Sequence, residues 1–162
     1  MVGVLTADQV RTVLDAVVDP EIPVLTIADL GVLRDVTVEG GQVVVTVTPT
    51  YSGCPAMDEI RADVLAALHA AGVADVEVRT ALAPAWTTDW MTAAGRAKLE
   101  AFGIAPPLGR ATGPVPVLLG TVRCPQCGSG DTEELTRFAS TSCKALWRCR
   151  SCREPFDHFK DH

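Results

Sequence analysis

Six cysteines are the side chains of this chain best suited to chemistry, and their spacing sorts them. Cys124-Pro125-Gln126-Cys127 and Cys149-Arg150-Ser151-Cys152 are two CxxC turns separated by 21 residues. A tetrahedral Zn²⁺ takes four ligands, and each CxxC turn presents two thiolates from one tight loop. Cys124, Cys127, Cys149 and Cys152 are therefore the expected ligands of a structural Zn²⁺. Four thiolates also suit iron, as a rubredoxin-like site or a cluster. His158 and His162 lie nearby in sequence, but four cysteines already complete a zinc shell. Cys143, followed by Lys144, is left over. It reads either as a buried small hydrophobe or as a further thiol for metal or partner chemistry, with Lys144 favouring its thiolate.

Cys54 stands apart, in Tyr51-Ser52-Gly53-Cys54-Pro55. This segment joins a predicted strand to a predicted helix, at the end of the sheet where α/β units hold their ligands. A helix starting at Pro55 can stabilise a thiolate at Cys54, whereas Asp58 and Glu59 in its first turn oppose that effect. Gly53 lets backbone or a ligand approach closely. The competing interpretation is a half-buried small residue that fills a tight turn. Asp19 and Glu21, two residues apart, are either acid–base carboxylates or the caps of a proline-rich turn. Trp86 and Trp90 are assigned to core packing.

These residues need elements to position them. Val10, Val13, Leu14, Val17 and Val18 form one apolar helical stripe within Thr6 to Asp19, and Thr6 with Gln9 makes a capping-box start. Asp19-Pro20-Glu21-Ile22-Pro23 stops that helix. Val32 to Glu39 alternates, Gly40-Gly41 supplies a hairpin turn, and Gln42 to Thr48 returns as a Val- and Thr-rich strand. Pro55 to Ala71 is a second amphipathic helix closed by Gly72, and Val76, Val78, Thr80 and Leu82 alternate as a third strand. The second strand, this helix and the third strand form a βαβ unit, so those two strands are expected to be parallel. A weaker helix follows within Asp89 to Phe102.

The expected fold class is α+β: a small three-stranded mixed sheet packed by helices in the order αββαβα, followed by a C-terminal zinc ribbon. Residues 1–105 form the first domain. Residues 106–117, rich in proline and glycine, form a semi-rigid linker. Residues 118–162 form the ribbon, with strands within Glu133 to Ser140 and Ala145 to Cys149. Such a short module with few aliphatic residues needs bound metal for much of its folding energy.

The 162 residues carry 48% apolar and 21% charged side chains, enough apolar surface for a core and too much for a disordered chain. Net charge is -6, and neither half is the strongly basic surface that phosphate neutralisation demands, which argues against nucleic acid as a partner. No apolar stretch approaches the roughly 18 residues of a membrane span, and Met1 to Val10 lacks a signal peptide's basic start. A cytoplasmic location, reduced thiols and no membrane partner are the expectation. The oligomeric state stays open, a homo-oligomer included.

Together, several segments are familiar. Asp19-Pro20-Glu21-Ile22-Pro23, Asp29-Leu30-Gly31 and Thr48-Pro49-Thr50-Tyr51-Ser52-Gly53-Cys54-Pro55 resemble the family of small iron–sulfur assembly proteins that includes SufT. Pro84-Ala85-Trp86-Thr87-Thr88-Asp89-Trp90-Met91, Gly103-Ile104-Ala105-Pro106-Pro107, Ser140-Thr141-Ser142-Cys143-Lys144-Ala145-Leu146 and Glu154-Pro155-Phe156-Asp157 extend the resemblance to the PaaD family over almost the whole chain. PaaD proteins are associated with bacterial phenylacetyl-CoA epoxidase, a di-iron enzyme served by a flavin and iron–sulfur reductase. The resemblance implies a role in phenylacetate catabolism, maturing a metal centre without turning over substrate. It places Cys54 at the family's reactive cysteine, which would transiently hold iron or an Fe–S cluster. Cys143, Asp19 and Glu21 are candidate accessory residues on their residue types alone. The implied partners are the oxygenase and/or reductase components of the epoxidase. The alternative is a stable non-catalytic subunit of the oxygenase complex with a structural ribbon. An enzyme using Cys54 as nucleophile lacks an evident histidine base, since His69 falls on the second helix.

Overall fold

The structure is a computed structural model describing residues 5–109 and 120–162. Most of the expected linker, residues 110–117, lies outside the described residues. The chain divides into two compact units, residues 1–86 with 90–92, and 87–89 with 93–162.

The first unit begins with α1 (Ala7–Leu14), capped as expected: Thr6 Oγ1 accepts from the Gln9 amide and Gln9 Oε1 from the Thr6 amide. This satisfies two N–H groups that a helix start leaves without intrahelical partners. The helix ends at Leu14, sooner than the apolar stripe suggests. Val17 is buried, but Val18 is 38% exposed and pairs with Thr26 in an isolated bridge.

Strand β1 (Leu33–Glu39) pairs antiparallel with β2 (Gln42–Val47) through Gly40 and Gly41, whose φ values of 58° and 91° suit a tight hairpin. Helix α2 (Ala56–Ala70) then leads to β3 (Val76–Thr80), which lies parallel to β2 with Val45 opposite Val78. The sheet order β1-β2-β3 is the expected three-stranded mixed sheet.

Periodicity explains the packing. Val43, Val45 and Val47 alternate into the core from the central strand. Ala56, Ile60, Val64 and Leu68 recur every fourth residue on the buried face of α2. Helix α1 contacts α2 and β1, and α2 contacts β3. Each aliphatic side chain buried this way contributes about 1.5–3 kcal/mol.

The second unit contains α3 (Ala93–Ala101) and a sheet of order β4-β7-β6-β5. Its strands are β4 (Ile104–Ala105), β5 (Thr132–Thr136), β6 (Lys144–Cys149) and β7 (Pro155–Phe159). Strands β5, β6 and β7 run antiparallel in sequence, and β4 adds in parallel beside β7. In sequence, α3 and Ile104–Ala105 stand within the expected first domain, whereas their contacts lie in this second unit. The two-residue β4 is too short to announce itself by alternation.

Candidate functional site

Cys54 lies between β2 and α2. Its amide donates to the Tyr51 carbonyl at 3.3 Å, closing a four-residue turn in which Gly53, at φ 82°, takes the third place. A positive φ there is what a type II turn requires, and glycine adopts it without strain. Pro55 sits at the helix N-cap with αR geometry. Pro55 offers no side-chain cap, so the first amides of α2 face the turn without one.

The Cys54 sulfur is consequently in a mixed environment. Partial burial pushes its thiol pKa up. Hydrogen bonding from the Ala56 backbone and the Tyr51 side chain pulls it down, while the charges of Glu21 and Asp19 raise it. The net direction is upward, so burial outweighs the helix start, and the resting side chain is a neutral thiol.

Asp19 and Glu21 thus reach the neighbourhood of Cys54 through space. The Asp19 carboxylate also has a plain structural duty: its Oδ1 accepts from the Glu21 amide at 2.9 Å and the Ile22 amide at 2.8 Å. Trp86 is buried in the same unit and donates its indole N–H to the Leu30 carbonyl at 3.0 Å. Behind the Cys54 turn lies a cavity of about 180 Å³ walled by Thr48, Pro49, Thr50, Tyr51, Ser52, Leu82, Ala85 and Trp86. Tyr51 lines this cavity and opens the turn that Cys54 closes, a place that motif spacing alone does not single out. The available clue is its place three residues before Cys54, with a glycine between them.

In the second unit the four expected cysteines converge. The sulfurs of Cys124, Cys127, Cys149 and Cys152 all lie within 4.8 Å of one another. Cys124 pairs with Cys152 at 3.7 Å and Cys127 with Cys149 at 3.6 Å, so each close pair joins one CxxC turn to the other. The Cys152 amide points at Cys149 Sγ at 3.4 Å and is the main reason that thiol's pKa falls to about 6. At Cys152 the Glu154 N–H pulls downward, but desolvation and the adjoining sulfurs together push the pKa up to about 12. Four soft donors with one already inclined to ionise are the donor chemistry of a tetrahedral divalent metal site.

Cys143 is buried outside this cluster, with Thr141 Oγ1 3.1 Å from its sulfur. Lys144 forms an ion pair with Asp157 at 3.3 Å. His158 is buried with Nδ1 3.2 Å from the Ala105 carbonyl.

Comparison with known proteins identifies both units. Residues 7–80 match the iron–sulfur cluster assembly protein family, and residues 119–160 match the PaaD zinc beta ribbon domain. An Escherichia coli K12 protein, provisionally named as one of the subunits of 1,2-phenylacetyl-CoA epoxidase, is 49% identical over 94% of this chain and 91% of its own length. The chain belongs to the PaaD family. A Porphyromonas gingivalis protein named Fe-S protein maturation auxiliary factor is 38% identical over 54% of this PaaD-family chain and 84% of its own length. Among solved structures, a Bacillus anthracis domain of unknown function aligns with TM-score 0.54 and 31% identity, covering 57% of this chain and 90% of that one. A conserved hypothetical protein from Thermotoga maritima aligns at 0.51 and 31%, covering 59% and 94%. The PaaD-family ribbon is thus a zinc ribbon domain with a cysteine metal-binding cluster. No described helix is long and apolar enough to cross a membrane.

Proposed function

We propose that this protein is an assembly factor for the phenylacetyl-CoA epoxidase system, which receives iron or an Fe–S unit on Cys54 and passes it to the oxygenase or reductase component. The observation that carries this proposal is the place of Cys54: half-exposed, at the start of α2 in a turn closed by its own amide, within a domain of the iron–sulfur assembly family. Thiolate is a soft ligand that suits both cargoes, and partial exposure permits exchange.

Within this proposal, Cys124, Cys127, Cys149 and Cys152 hold a resident Zn²⁺ that folds the ribbon, and the ribbon docks the client. Asp19 and Glu21 supply negative charge that favours an approaching metal cation, and Cys143 serves as a packing residue. Burial, with a smaller contribution from these carboxylates, holds the thiol pKa up, and the sulfur gives up its proton when a metal arrives.

The test is a deletion strain. It should make the epoxidase polypeptides yet fail to grow on phenylacetate, and its oxygenase or reductase should be short of iron or cluster. Chemical reconstitution of that component should then restore turnover without this protein. The relative's name as a subunit favours a second reading, a stable non-catalytic member of the oxygenase complex. In that case metal content stays normal, and turnover returns only when the protein is added back.

A further inference from the structure

The two CxxC turns of the ribbon share an outline and differ in the residue that follows each. Gly128 comes after Cys127 at φ 74°, and Arg153 comes after Cys152 at φ 67°. Glycine takes this left-handed conformation freely, whereas a Cβ there crowds the neighbouring carbonyl oxygen. Arg153 is the one non-glycine residue with a positive φ among the described residues. Its strain supports no contact within the chain. The Arg153 side chain is exposed and has no hydrogen bond or ion pair among the described residues. Neighbouring arginines are engaged, since Arg148 and Arg150 both donate to Glu133. Strain kept at an unpartnered side chain directs attention outward, to a contact made with another molecule.

A second cation accompanies it. Arg123 precedes Cys124 as Arg153 follows Cys152, and those two sulfurs are 3.7 Å apart, so both arginines flank one sulfur pair. Arg123 is exposed, and its guanidinium donates to the Gly128 carbonyl at 3.2 Å, with no carboxylate partner among the described residues. Glu154, the nearest acid in sequence, is exposed and forms no ion pair among them either. We infer that Arg153, together with Arg123, is the contact by which the ribbon docks an acidic segment of the epoxidase component it serves. This inference rests on the proposed function, in which the ribbon docks the client. A guanidinium meets a carboxylate with two parallel N–H donors, which orients the partner as well as attracting it. The backbone beside a metal ligand is already ordered, so little further freedom is lost on binding. Two cations are too few to track a phosphate backbone, which favours protein over nucleic acid.

Arg153→Gly separates docking from structure, because glycine suits the left-handed backbone and only the side chain is lost. In the full, zinc-loaded chain the urea midpoint of the ribbon should rise, since relief of the backbone exceeds the freedom glycine adds to the unfolded chain. Zinc content should stay at the wild-type level. Binding to the purified oxygenase and reductase components is followed by surface plasmon resonance. The component that binds should be held roughly tenfold more weakly by the variant, with a flatter dependence on salt. Arg153→Asn, uncharged and tolerant of the same backbone, should lose as much, which excludes glycine's flexibility as the cause. A variant bound as tightly as wild type overturns the inference and leaves the docking role standing. Loss of zinc overturns it by making Arg153 a partner of the metal thiolates, and a midpoint that fails to rise removes the strain it starts from. An RNA oligonucleotide bound more tightly than either component, through Arg153, overturns it in favour of phosphate. A wild-type chain that binds neither component removes the docking role and the inference with it.

Discussion

Cys127 and Cys149 lie 22 positions apart in sequence and bring their sulfurs to 3.6 Å. The packing beside them is slight: Ala105, Val122, Cys124, Cys149 and Phe156, with Trp147 against them. Even with Leu99, Ala145 and Phe159 buried elsewhere in the unit, its aliphatic core is small beside the ordering entropy of the strands.

One Zn²⁺ per chain is therefore expected on metal analysis, and its removal by a strong chelator should unfold the ribbon. Structural zinc in comparable modules contributes on the order of 10–16 kcal/mol. Cys127→Ser should lose both the metal and the β signal in circular dichroism from the second unit, while the first unit stays folded. A ribbon that keeps its structure without metal would show that packing alone suffices.

Acid sensitivity should have a second source besides the cysteines. Burial lowers the pKa of His158 from its ordinary value of 6.5, ahead of the opposing effect of the Ala105 carbonyl and of the Asp161 and Glu134 charges. The folded protein then resists a proton that the unfolded chain accepts. The neutral side chain's contribution is present above pH 6.5 and is lost as pH falls from there toward the lower folded-state pKa. Stability of the second unit should fall by at most about 1.4 kcal/mol per pH unit from this group. His158→Asn should flatten that part of the profile in denaturant titrations of the zinc-loaded protein. An unchanged slope would mean that the cysteines alone set it.

Much of this fold is legible as periodicity. Val43, Val45 and Val47 give away the central strand, and the fourfold spacing of Ile60, Val64 and Leu68 gives away α2, because burial on one face leaves a regular imprint. The four zinc-site cysteines are legible because two short turns carry the geometry. Contacts made by single residues leave no period. The β4 pairing of Ile104 with Asp157 and the approach of Glu21 to the Cys54 thiol depend on where distant backbone passes. The direction of the Cys54 shift could not be read from Asp58 and Glu59 either. It is set by burial, which only the folded chain defines.

Gly31 tests how tightly the first unit closes. Its φ is 75°, and a Cβ there would stand 2.5 Å from the Trp90 carbonyl oxygen and 2.7 Å from its Cβ. Gly31→Ala combines a left-handed backbone penalty with overpacking and should cost roughly 2–4 kcal/mol. It should also disturb the stacking of Arg34 over the Trp90 ring, now 3.6 Å from its centroid. Urea titration followed by tryptophan fluorescence would check both. A loss below about 0.5 kcal/mol, the range of ordinary surface changes, would show that the Trp90 segment yields freely.

Cys54→Ser is the sharpest test of the thiol. The side chain is only half-buried, its turn is closed by backbone, and the hydroxyl can accept from the same Ala56 amide, so both units should remain folded to within about 1 kcal/mol. Serine nevertheless lacks a soft, readily ionised atom, since a hydroxyl does not release its proton to iron as a thiol does. Complementation of the deletion strain on phenylacetate should therefore fail, although the protein is present at wild-type level. The ribbon gives an internal control: a full complement of zinc in the variant shows that the loss is local to Cys54. Full growth by such a strain would reduce Cys54 to a filler of the turn and favour the non-catalytic subunit. Failed growth with normal metal content in the epoxidase would separate the two roles differently, because the thiol would then serve the assembled complex and not its maturation.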